Sequence, residues 1–206
     1  MKKVALALAL TLAAGAASAH DTVLSFGTFE KAGITTEGLM FDAEGSIGSF
    51  NYELGAFDGN ANGIDANAAT LDVNWTGLAL GTVDVGPALS YGYAEVGGIS
   101  DEGFAGGAAM RTDLGSVAIK GDLLISFEDS DAWSASIDGR VPVGERLTAM
   151  AAYSYVDDGA VTESHTVELG GRYDLNAGTF LEATVETERS RGTTGTGANL
   201  GLGFKF

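Results

Sequence analysis

The final ten residues, GANLGLGFKF (197–206), constrain this chain more than any other stretch. Leu200, Leu202, Phe204 and Phe206 share one face of an extended backbone, and Asn199, Gly201, Gly203 and Lys205 share the other. A period of two over this length is a strand pattern. The same alternation returns along the whole chain and predicts strands over 22–30, 34–42, 46–57, 69–76, 82–95, 104–114, 117–128, 133–141, 147–155, 165–174, 181–188 and 197–206. In most of these one face is large and apolar while the other is small or polar. Pro87 falls inside the fifth, where the missing N–H predicts a bend or a break.

The first residues set the compartment. Lys2 and Lys3 precede an apolar run from Val4 to Ala14 and an Ala17-Ser18-Ala19 site, the pattern of a secretory leader cleaved before His20. Residues 20–206 are then expected to form one domain, since no linker interrupts the alternation. The formal charge is −17, and loss of the leader lysines makes it more negative. A nucleic-acid surface needs the opposite sign. There is no cysteine, hence no disulfide framework and no thiolate metal site. No apolar run after Ala19 approaches the ~20 residues of a membrane helix, but β-strands cross with about 9–11. The 31 glycines lie inside alternating segments, and only two prolines occur, so the composition is not that of a disordered chain.

The leader, the Gly-rich alternating strands such as GSIGSFNYELGAF (45–57) and the ending GLGFKF together resemble small Gram-negative porin-like outer-membrane β-barrel proteins. The strands resemble those of proteobacterial porins, and the length resembles that of the twelve-stranded monomeric channels for acidic sugars. The resemblance implies an all-β antiparallel transmembrane barrel with a periplasmic C-terminus and short periplasmic turns. Twelve strands fit best, with ten the alternative if 22–30 and 34–42 are not separate. It also implies that Leu200, Leu202, Phe204 and Phe206 form the strand read by the barrel assembly machinery. In that orientation the turns 115–116, 144–146 and 176–178 fall on the periplasmic side. The longer polar connections 58–67, 96–102, 157–162 and 190–195 fall outside, the length asymmetry of membrane barrels; 129–131 is a short exception. Tyr91, Tyr93, Phe104, Phe127, Trp133, Tyr153 and Tyr155 then collect near the outer strand ends, and Trp75, Tyr173, Phe204 and Phe206 near the inner ends. Two aromatic girdles suit two interfaces.

The face opposite the apolar one carries Asp72, Asp84, Arg111, Asp113, Lys120, Asp122, Asp138, Arg140, Glu168, Arg172, Asp174, Glu182, Glu186 and Lys205. A Lys or Arg facing lipid at the midplane costs about 2–4 kcal/mol, so these side chains are expected to line a lumen. Two readings follow. An open lumen with an acidic excess passes ions or small hydrophilic solutes and favours cations. A lumen in which the four bases pair with carboxylates is plugged, leaving a structural or adhesive surface barrel. Acidic-sugar channels have basic lumens, so that solute does not follow from the resemblance. Trimeric porins are longer and fold a loop inward; only 58–67 could do so here.

An enzyme is not expected. His165, the one histidine beyond His20, has Thr166 and Glu168 on the opposite face and Val167 at the next position of its own, so no serine adjoins it along the strand. Asp157, Asp158 and Glu163 sit near it at one end. No metal or cofactor is expected. The expected partners are outer-membrane lipid and the assembly machinery, with the chain a monomer or weak oligomer.

Overall fold

In the computed structural model, residues 20–128, 131–159 and 163–206 are described. The expected leader, 1–19, and parts of the connections 129–131 and 157–162 lie outside the described residues. The elements are β1 (His20–Lys31), β2 (Ile34–Ile47), β3 (Phe50–Ala61), β4 (Ile64–Trp75), β5 (Leu78–Leu80), β6 (Val83–Val96), β7 (Ile99–Leu114), β8 (Val117–Ser126), β9 (Ala132–Pro142), β10 (Leu147–Asp158), β11 (Glu163–Asn176), β12 (Thr179–Ser190) and β13 (Thr193–Lys205). Neighbours in sequence pair as antiparallel hairpins. β1 pairs with β13, and β4 pairs with β6, so the twelve long strands close into a ring. The extra strand β5 covers only the end of β6, pairing Leu78 with Val85 and Leu80 with Val83. Closure leaves the twelve long strands without an open ladder edge.

Register decides which residues face inward. Directly opposed residues share a face. Val23 opposes Asp42, Glu53 opposes Asp72, and Lys120 opposes Asp138, all on the inner face. The alternate residues point outward, and there the large apolar side chains are exposed: Leu24, Phe26, Leu39, Leu71, Leu89, Leu123, Ile125, Leu169, Val185 and Leu200. Leu202, Phe204 and Phe206 are exposed on the same face. The aromatics expected at the strand ends lie outward. Tyr91 packs on Phe104 with centroids 4.8 Å apart, Trp133 packs on Tyr155 at 4.7 Å, and Trp75 opposes Phe50 near the other end.

Three expectations are corrected. First, the polar connections 58–67, 96–102 and 190–195 are not loops. β3 and β4 pair up to Ala61 and Ile64, joined by Asn62–Gly63. β1–β2, β6–β7 and β12–β13 turn on Ala32–Gly33, Gly97–Gly98 and Arg191–Gly192. Both central residues of each turn have positive φ, as in Asn62 (51°) and Gly63 (80°), the two-residue geometry that matches strand twist. The polar residues of 58–67 and 190–195 are therefore strand ends with polar side chains on both faces, and no inward loop forms there. Second, β2 continues to Ile47 and β3 begins at Phe50, so the boundary lies at Gly48–Ser49, inside the predicted 46–57 strand. Gly48 has φ 65°, and its turn is too short to register as a break in the alternation. Third, Pro87 does not break β6, which runs from Val83 to Val96. It opposes Ala108 on β7, and on the other side β4 stops pairing at Asn74–Ala88 while β5 starts at Val85. The missing donor falls where no partner strand needs it.

Not every large side chain is outside. Phe180 is fully buried on the inner face of β12, lying over Gly203 of β13, its register partner. The Arg172 guanidinium sits 3.9 Å from the ring centroid and the Lys205 ammonium 5.6 Å from it. A Cβ on Gly203 would stand 2.1 Å from the ring, so only glycine leaves room. Gly203→Val should lower the unfolding free energy by about 1–3 kcal/mol through overpacking, read as the urea midpoint in detergent micelles. Adding Phe180→Ala should restore part of it. An unchanged midpoint in the single variant would mean that the ring does not rest on Gly203.

Candidate functional site

The inner wall carries two registered rows of charge. Asp21, Glu44, Glu53 and Asp72 oppose one another in sequence across β1, β2, β3 and β4. Like charges directly opposite destabilise a sheet, so this row needs counter-charge. The second row runs Asp84, Arg111, Lys120 and Asp138 across β6 to β9, then Ala152, Glu168 and Glu186 across β10 to β12.

The counter-charge comes from across the barrel. Arg140 donates through both terminal nitrogens to the two Glu44 oxygens, Nη2 to Oε2 at 3.0 Å. Lys120 Nζ donates to Glu44 Oε2 at 2.7 Å and to Glu53 Oε1 at 3.0 Å. β2 and β9 have five long strands between them either way round, so the Arg140–Glu44 pair spans a full diameter. Closer to the seam, Arg172 donates to Asp21, and its Nη2 to Glu182 Oε2 at 3.1 Å. At the end carrying the C-terminus, Lys205 bonds Asp174 at 2.7 Å. At the opposite end Lys31 and the Ser164 hydroxyl both bond Glu188.

Two cavities border the diametric pair, one at both residues and the other at Arg140 alone. One, of ≈ 180 Å³, is bounded by Asp21, Asp42, Glu44, Asp72, Arg140 and Arg172, among others. The other, of ≈ 300 Å³, is bounded by Ser136, Asp138, Arg140, Ser154, Thr166 and Glu168, among others. Glu53, Arg140 and Glu182 border both. Their linings mix charged side chains with apolar ones such as Val23, Leu54, Ile137 and Met150.

Of the residues singled out from sequence, Asp72 belongs to the first row, and Asp84, Arg111, Lys120, Asp138, Glu168 and Glu186 to the second. Arg140 and Lys120 form the diametric clasp, and Arg172 pairs with Glu182. Asp122 accepts from the Ser136 hydroxyl beside it. Asp113 opposes Ala118 near the C-terminal end, away from the clasp. Sequence reading missed Asp21, Asp42 and Glu44, and did not single out Glu53. The signal was present in β2, where Gly38, Met40, Asp42 and Glu44 alternate with Leu39, Phe41 and Ala43. The predicted strand stopped at Asp42 and so lost Glu44. His165 faces outward, its Nδ1 2.8 Å from the Tyr153 hydroxyl and its ring against Tyr155. Asp157 and Glu163 oppose each other two residues away.

No protein-family model matches the chain, and no curated protein does. Solved structures do. The NanC porin matches with TM-score 0.67 and 10% identity, over 90% of this chain and 100% of that one. The KdgM porin gives 0.59 and 11%, over 89% and 99%. An outer-membrane channel from Pseudomonas putida F1 gives 0.58 and 12%, over 92% and 95%. The chain has the fold of outer-membrane porins and channels.

The Arg172 group is the least exposed of the interior ion pairs, with 11% of its side chain accessible. Arg172→Ala leaves Asp21 and Glu182 unpaired and removes the cation over Phe180. It should cost about 2 kcal/mol, measured as the unfolding midpoint in lipid vesicles. Arg172→Lys should recover only part, because an ammonium cannot serve two carboxylates with a planar fork.

Proposed function

We propose that this chain is a passive channel of a Gram-negative outer membrane, passing ions or small hydrophilic solutes through a narrow lumen that favours cations. The observation that carries the reading is the carboxylate row Asp21–Glu44–Glu53–Asp72, all four members of which border the smaller cavity, with Glu53 bordering the larger one as well. Carboxylates lining a constricted path raise the local concentration of cations and repel anions. Asp84, Asp138, Glu168, Glu182 and Glu186 extend the same sign round the wall, with Asp113 and Asp122 below and beside them. The bases Arg111, Lys120, Arg140 and Arg172 are fewer.

The KdgM porin has also been solved in complex with disordered oligogalacturonate, a polyanion. The acidic row disfavours a polyanion here, so that solute is not carried over. The outward apolar wall suits outer-membrane lipid. Leu200, Leu202, Phe204 and Phe206 present one apolar face on the last strand, suited to recognition by the assembly machinery. We read the chain as a monomer or weak oligomer that works without a cofactor.

A second reading has its own support. Because the clasp spans a full diameter, a closed, structural or adhesive barrel is the alternative. Refolded protein in a planar bilayer separates the two. Stable current steps with a reversal potential on the cation side of a potassium chloride gradient are expected. A folded, heat-modifiable protein without steps would overturn the channel reading and leave the plugged barrel. Glu168→Gln combined with Glu186→Gln should move the reversal potential toward zero without abolishing the steps.

A further inference from the structure

Glu44 holds two bases of the far wall at once. Its two oxygens take both terminal nitrogens of Arg140, and Oε2 also takes Lys120. The other carboxylates of the row do less. Glu53 reaches Lys120 alone, Asp21 reaches Arg172, and Asp72 opposes Ser90. Arg140 also meets Asp138, two residues along its own strand, at 3.8 Å. Among the described residues, Glu44 is the carboxylate that ion-pairs with Arg140 from the opposite wall.

Position matters as much as contact. Glu44 stands three residues before the end of β2, Lys120 three after the start of β8, and Arg140 two before the end of β9. The clasp therefore sits in the half of the barrel that carries the C-terminus. Of its members, Arg140 and Glu53 border both cavities and Glu44 borders the smaller one. Glu44, Glu53, Lys120 and Arg140 sum to zero formal charge. A neutral clasp leaves the sign of the lumen to the carboxylates beside it, among them Asp42, Asp72, Asp138 and Glu168. An aqueous path is most sensitive to charge where it is narrowest, because low-dielectric walls focus the field there.

We infer that the Glu44 clasp is the constriction of the lumen and that Glu44 is its selectivity-determining residue, masking Lys120 and Arg140. The inference rests on the channel reading above but makes a separate demand. Breaking the clasp from either side must widen the path, while the selectivity must move in opposite directions.

The test is single-channel recording of wild type, Glu44→Gln, Arg140→Gln and Asp72→Asn in planar bilayers, under a potassium chloride gradient, on heat-modifiable refolded protein. Glu44→Gln leaves a net positive clasp, so its steps should be larger and its reversal potential should move to the anion side. Arg140→Gln leaves a net negative clasp, with larger steps and a shift further toward cations. Asp72→Asn, on the same row but with no base across from it, should move selectivity toward anions at unchanged step size. Glu44→Asp serves if Glu44→Gln fails to fold. It keeps the charge but is too short to hold both bases, and should enlarge the steps without reversing selectivity.

Steps of wild-type size in Glu44→Gln or Glu44→Asp would overturn the inference while leaving the channel reading intact. So would shifts of the same sign from Glu44→Gln and Arg140→Gln. A silent wild type with a conducting Glu44→Gln would overturn the channel reading and support the clasp as the closing element. Silence in both would overturn the two together.

Discussion

The backbone hydrogen-bond ladder must close, and the rest of this structure depends on that. A strand facing hydrocarbon has no water for its N–H and C=O groups, so an open edge is not tolerated there. Closure is made at two places, between β1 and β13 and between β4 and β6. At the first, eleven register pairs join the ends of the described chain, from Asp21–Lys205 to Lys31–Gly195. Once the ring is closed, alternation has only two destinations. One set of side chains goes to the outside, where Leu, Val, Ile and aromatics are exposed, and the other goes to an enclosed interior.

The interior then poses an electrostatic problem that the same closure helps to resolve. Four carboxylates in register on adjacent strands repel one another, and no base lies between them in the row. In an open sheet such a row would need counter-ions from solvent. In a ring of twelve strands the far wall is within reach of an arginine or lysine side chain. Arg140, Lys120 and Arg172 therefore offset Asp21, Glu44 and Glu53 across space, bonding residues up to 151 positions away in sequence, while Asp72 keeps its charge for the lumen. The long-range contacts inside the barrel follow from a short-range repulsion on its wall.

Much of the fold was legible because the alternation is local. Twelve long strands, their antiparallel order and the outward placement of Tyr91, Phe104, Trp133 and Tyr155 follow from period two and turn spacing. What was not legible depends on pairing. The segment 58–67 reads as a loop because Asp58, Asn60, Asn62 and Asp65 are polar, yet Asn62–Gly63 is itself a two-residue hairpin turn, and the strands zip up to it on both sides. Composition reports solvent exposure, and strand ends that project beyond an apolar band are exposed without being loops. Pro87 likewise looked disruptive because the sequence does not say that β4 releases β6 at that point.

The candidate site divides in the same way. That Lys120, Arg140 and Arg172 share a face with Asp138, Glu168 and Glu182 could be read strand by strand. That Arg140 meets Glu44 could not, because the pairing depends on the number of strands in the ring: two strands fewer would change which residue lies opposite β9. Glu44 was lost for a second reason, since the break between β2 and β3 is a tight turn at Gly48–Ser49 that leaves the alternation almost in phase. A carboxylate at such a hidden boundary draws no notice from its neighbours in sequence. Its importance comes from the opposite wall, where it balances two neighbouring cations, Lys120 and Arg140, at once.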